Sequence, residues 1–135
     1  MKEAYVSYEV AKLLKDKGFD WRVFNFYDEH GRFSEHIGSV YTLYNWNYPT
    51  KDGYGSHYCS APTQQMAVRW VWEEKGLNIN AIYGDYPALK KSFWMPQIVS
   101  LEDTYGTEDE DFFREYDSRE DCIEAALRYT LNNLI

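Results

Sequence analysis

A chain of 135 residues, 44% hydrophobic and 19% aromatic, is long enough for one packed domain and too apolar to be disordered throughout. Its formal net charge of −8 is local: residues 102–135 hold 11 acids against 3 arginines, whereas residues 1–101 balance 11 acids with 11 bases. Such a segment repels phosphate backbones, which argues against direct nucleic-acid binding and suits a basic protein partner.

Two cysteines, Cys59 and Cys122, fit free thiols in a reducing compartment better than a disulfide scaffold. The N-terminal stretch carries charges throughout, and no segment is apolar enough for a signal peptide or a membrane span. The expectation is a cytoplasmic protein that does not engage a membrane.

In chain order, Ser7 is placed to cap a first helix over 7–17, with Val10, Leu13 and Leu14 buried and Gly18-Phe19 closing it in a Schellman ending. Residues 21–27 read as a strand, reversed by Asp28-Glu29-His30-Gly31. The return strand is expected over 39–47, where Val40, Thr42, Tyr44 and Trp46 alternate with Tyr41, Leu43 and Asn45. Residues 49–55, rich in Pro and Gly, form a loop.

A central helix follows, expected to start near Ala61 with Ser60 as its cap and Pro62 in its first turn, and to stop at Gly76. Trp70 is its core anchor. Trp72 projects from the other side, so it either packs under a loop or stands partly exposed. Strands are expected over 78–83 and 93–101 around a turn at 84–87, with Pro96 either demoting the second to an edge or placing a bulge in it. After an acidic stretch, 102–117, Ser118 caps the last helix, whose apolar side carries Ile123, Ala126, Leu127 and Leu134. The order helix, strand, strand, helix, strand, strand, helix predicts a single α+β domain over 1–135, with three helices on one antiparallel or mixed sheet of about four strands.

No phosphate-cradling loop, dinucleotide fingerprint, nucleophile elbow or paired-histidine motif is present, so no cofactor and no metal site is read from the sequence. The catalytic candidates are Cys59, whose thiolate a helix N-terminus would favour, and His57, on the same face if the segment is a strand. The binding candidates are Asp109, Glu110, Asp111, Phe112 and Phe113 of the acidic stretch, Tyr44 and Trp46 of the expected hairpin, and Trp72.

Three segments, YVSYEVAKLLKDKGFD, CSAPTQQMAVRWVWEEKGLNI and YDSREDCIEAALRYTLNNLI, are similar to a family of short proteins of bacteroidal genomes and their phages or prophages. The family has no assigned activity. The resemblance implies an accessory role in a phage or mobile element and carries over no functional residues. The favoured reading is a non-enzymatic interaction protein that uses the acidic segment or the aromatic hairpin. The alternatives are a nucleotide- or metabolite-binding domain with an aromatic pocket and, last, an enzyme using Cys59 and His57.

Overall fold

Ser7 and Ser118 open helices in the computed structural model, which describes residues 4–34, 43–48 and 57–135. The Ser7 hydroxyl accepts the N–H of Val10 at 3.2 Å, and that of Ser118 accepts the N–H of Asp121 at 3.0 Å. The class is α+β, with three α-helices and two three-stranded antiparallel sheets in place of one sheet of four. The chain divides into two compact units, Met1–Thr63 and Gln64–Ile135.

In the first unit, helix α1 (Tyr8–Asp16) buries Val10, Ala11 and Leu14. It ends as expected: the N–H groups of Gly18 and Phe19 reach back to the carbonyls of Lys15 and Leu14, and Phe19 folds into the core. Strand β1 (Phe26–Tyr27) lies between β2 (Phe33–Ser34) and β3 (Cys59–Ser60). The turn between β1 and β2 is built by Asp28, whose Oδ1 accepts the N–H groups of His30 (2.8 Å) and Arg32 (3.0 Å). The backbone N–H of Arg32, its guanidinium and the N–H of His30 outweigh partial desolvation and hold the Asp28 carboxyl below its usual range.

That tight turn corrects the expected hairpin. Because Asp28 and Gly31 (φ 78°) reverse the chain at once, the partner of β1 is the next extended pair, Phe33–Ser34, and not 39–47. Of the expected return strand, 39–42 lie outside the described residues, as does the 49–55 loop. Within 43–48, Tyr44 makes one antiparallel bridge to Val23 and the chain then turns at Trp46-Asn47.

Ser60 is not a helix cap. It pairs with Phe26 in β3, and its hydroxyl accepts the N–H of Trp46 at 3.0 Å. Pairing holds this stretch extended, so the helix expected near Ala61 begins at Gln64, and Pro62 precedes it instead of occupying its first turn.

In the second unit, helix α2 (Gln64–Lys75) buries Ala67, Trp70 and Val71, with Trp70 as the core anchor, and stops at Gly76 (φ 72°). Trp72 is 48% exposed. Strands β4 (Asn78–Tyr86) and β5 (Lys91–Val99) form a nine-residue ladder that runs through the expected turn at 84–87. The Phe93 ring lies across Gly84, where a side chain would collide, so this glycine serves close packing and not a turn. Reversal comes later, in a 3₁₀ turn at Pro87–Leu89 and a left-handed Lys90 (φ 49°).

β5 is the middle strand, between β4 and β6 (Thr104–Tyr105), and its register with β4 is unbroken at Pro96, which corrects the edge or bulge expected from that proline. Trp94 exchanges its backbone hydrogen bonds with Tyr116, and Ile98 pairs with Tyr105, on the side of β5 away from β4. Two-residue alternation points the Pro96 nitrogen to that same side, into the gap between these partners, so proline removes no bond of the β4 ladder. Helix α3 (Arg119–Asn133) packs Cys122, Ile123, Ala126, Leu127 and Leu131 into the core of this unit. No described helix is long and apolar enough to cross a membrane.

Candidate functional site

The acidic stretch is an ordered wall of a groove, held by its aromatic residues. Tyr116 is fastened to Trp94 by the backbone bridge, and its hydroxyl donates to the Phe112 carbonyl at 2.8 Å. The Phe112 ring stacks on Tyr129 of α3 with centroids 4.4 Å apart. Gly106 (φ 83°) lets the chain pass beneath, since a side chain there would meet the Phe112 ring. Phe112 is therefore a largely buried anchor of the fold that also borders the hollow described next, while Phe113 stays part-exposed on the surface.

With these rings turned inward, carboxylates line the outer side. A hollow of about 580 Å³ is bordered by Asp109, Asp111, Glu115, Asp117, Asp121 and Glu124, with Arg114 and Arg128 as the basic residues among the described ones that line it. Several of these groups are already engaged. Asp109 Oδ1 accepts the N–H groups of Asp111 (3.0 Å) and Phe112 (3.3 Å), Glu115 accepts the Tyr86 hydroxyl, and Glu124 lies 4.0 Å from Arg128. The Glu115 contact, with some desolvation, pushes the Tyr86 phenol above its usual pKa. Arg114 lies over the Tyr116 ring at 4.2 Å. Asp111, Asp117 and Asp121 are exposed and form no ion pair among the described residues. Glu110 is exposed but does not border the hollow.

In the first unit, Tyr44 and Trp46 come together with Phe26 and Tyr58. Phe26 is 4.3 Å from Trp46 and 4.7 Å from Tyr58, and Tyr44 is 5.0 Å from Trp46. The polar groups of this cluster serve the fold. Trp46 Nε1 donates to the Val23 carbonyl (3.1 Å); Asn47 donates to the Phe19 carbonyl (2.8 Å) and accepts the N–H of Ser60 (2.9 Å). Beside it, Arg22, Leu43, Tyr44, Asn45 and Tyr48 border a hollow of about 420 Å³.

Cys59 and His57 both border a smaller hollow of about 270 Å³ with Lys12 and Lys15. Burial pushes the Cys59 thiol up to about 11, over the opposing pull of Lys15 and Lys12. Such a shift disfavours the thiolate that a nucleophile or soft metal ligand needs. His57 is exposed, with Nδ1 3.8 Å from Glu29. Cys122 is likewise buried and raised to about 11, and neither cysteine is in a disulfide. Among the described residues, no three or more His, Cys, Asp or Glu side chains are grouped to hold a metal ion.

Sequence reasoning missed the Trp94–Tyr116 bridge and the stack of Phe112 on Tyr129. The one local signal was Gly106, a lone glycine opening an acidic run that contains three aromatics, Phe112, Phe113 and Tyr116. No family model, curated protein or solved structure matches the chain.

Proposed function

We propose that the protein is a non-enzymatic cytoplasmic binding protein, of phage or mobile-element origin as its resemblance implies, and that it takes a lysine- or arginine-bearing segment of a protein partner into the acidic groove. The observation that carries this reading is that aromatic anchors fix the backbone of the acidic stretch while Asp111, Asp117 and Asp121 face solvent and, among the described residues, form no ion pair, although Arg114 and Arg128 border the same hollow. Carboxylates on a rigid frame lose less freedom on binding than the same charges on a mobile tail, and complementary charge raises the encounter rate.

The test is fluorescence anisotropy of a labelled Lys/Arg-rich peptide at low and high salt. Wild-type protein should bind it in a salt-sensitive manner, and the triple variant Asp111→Asn, Asp117→Asn, Asp121→Asn should bind about tenfold more weakly, three partly exposed charge pairs being worth about 0.2–1 kcal/mol each. Neutralising Glu73, Glu74 and Asp85 instead should leave binding unchanged. Equal loss in both triple variants would mean that net charge alone is responsible, and the reading fails.

A second reading rests on the other unit. Exposed Tyr44 and Tyr48 beside Arg22 offer ring faces and a cation to a planar anionic metabolite such as a nucleotide. A ligand-induced rise in melting temperature that Tyr44→Ala abolishes would support it.

A further inference from the structure

The outer edge of β4 carries a separate inference. Because Trp94 spends its backbone N–H and C=O on Tyr116, Tyr83 and Trp94 face each other without exchanging hydrogen bonds. The alternation extends along the ladder to Ala81–Pro96, Ile79–Ile98 and Asp85–Ser92. The N–H and C=O groups of Ile79, Ala81, Tyr83 and Asp85 therefore point out of the sheet, and among the described residues nothing bonds to them.

This edge is long and unprotected. It runs for nine residues, NINAIYGDY, with no proline, no lysine and a single charge, and at its middle Ile82 is 47% and Tyr83 57% exposed. Natural sheets blunt such edges with charge, proline, bulges or a covering element. Apart from the one charge of Asp85, none of these is found along β4 among the described residues.

We propose that β4 is a self-association edge, where two copies pair antiparallel about a two-fold axis through Ile82 and join their three-stranded sheets into one. A second copy is the occupant because the strand complements itself. In this register Ala81 faces Tyr83 of the second copy and Ile79 faces its Asp85, and each such pair exchanges two hydrogen bonds. Every outward group of the edge is then used. Any other two-fold register within the strand leaves at least one of those residues without a partner.

Side chains and charges agree with that register. Ile82 meets its own copy in a non-hydrogen-bonded pair, the closer kind, with Cβ atoms about 4.5–5.5 Å apart. On the same face Ile82 lies beside Met95, and the Tyr86 and Phe93 rings are 4.9 Å apart, so the contact prolongs an apolar row. The sole charge, Asp85, faces Ile79. Antiparallel pairing also carries the tip residues Lys90 and Lys91 toward the root of the other copy's β4, where α2 ends with Glu74 exposed, Glu73 bonded to Arg69 and Lys75 folded over Trp70.

Sedimentation velocity from low to high micromolar concentration tests the proposal. Wild-type protein should form a dimer and nothing larger. Ile82→Lys sets two like charges at the axis, and Ala81→Pro removes an outward N–H without touching the ladder to β5. Each should raise the dimer dissociation constant about tenfold or more while circular dichroism stays native. In a third variant, Ile82→Cys, mild oxidation should cross-link two chains, whereas Tyr86→Cys, set opposite Asn78, should not. A wild-type monomer at all concentrations, a dimer that survives both edge variants, or an Ile82→Cys chain that does not cross-link would each overturn the proposal.

Discussion

The backbones of Trp94 and Tyr116 exchange hydrogen bonds of 2.9 and 2.8 Å, and this one bridge fastens the acidic stretch to the middle strand of its sheet. It turns a run of carboxylates into a wall of fixed shape. It also determines which groups of β5 are left for β4, and so which β4 residues point their N–H and C=O groups out of the sheet.

The Tyr116 hydroxyl secures that wall through its bond to the Phe112 carbonyl. Tyr116→Phe removes the bond and leaves the ring. The carbonyl keeps a second donor, the N–H of Arg114, so the loss should stay near about 1 kcal/mol of unfolding free energy, measurable by urea denaturation. Groove binding should weaken with it.

Gly106 and Gly76 both have positive φ, at 83° and 72°, but only Gly106 lies under a ring. An added Cβ at Gly106 would sit 2.7 Å from Phe112, whereas Gly76 has open space around it. Gly76→Ala should cost about 1–2 kcal/mol from backbone strain alone. Gly106→Ala should cost more, and thermal unfolding of the two variants side by side gives the ranking.

The two buried thiols make stability pH-dependent on the alkaline side. Each is raised from 9.0 to about 11 in the folded chain, so between those values the unfolded chain has released a proton that the folded chain still holds. Stability should be fully present below pH 9 and fall as pH rises toward 11. The phenols of Tyr86 and Tyr116, both raised, act in the same direction. A maleimide or disulfide reagent at neutral pH should label neither cysteine in the native protein and both in denaturant.

Asn47 holds together separate parts of the first unit, donating to the Phe19 carbonyl and accepting the N–H of Ser60. Asn47→Ala should destabilise by about 2 kcal/mol, since both part-buried partners lose a bond. Asn47→Asp keeps the acceptor and loses the donor, so it should fall between wild type and Ala at neutral pH. Chemical denaturation of the three proteins checks the order.

How much of this was legible in the sequence depended on how far each partner lay along the chain. Ser7, Ser118 and the Gly18-Phe19 ending read correctly because each bonds within a few residues of itself. Trp70 read correctly because helical spacing alone put it on the buried stripe. Ser60 did not, because its hydroxyl serves Trp46, 14 residues away, a partner that no local pattern announces. The anchoring of Phe112 was not legible either, because its stacking partner Tyr129 lies on a different element.

The sequence by itself determined the class, the helix ends and the location of the negative charge, all of which follow from composition and short-range spacing. Packing and pairing across the chain were needed to see that Phe33–Ser34 pairs with Phe26–Tyr27 as the first hairpin, that Pro96 is tolerated in a middle strand, that burial raises the Cys59 thiol, and that among the described residues β4 keeps a free edge. The physical reason is common to all four. Strand pairing and desolvation are set by groups distant in sequence, and antiparallel alternation fixes which backbone groups are spent only once a strand's partners on both sides are known.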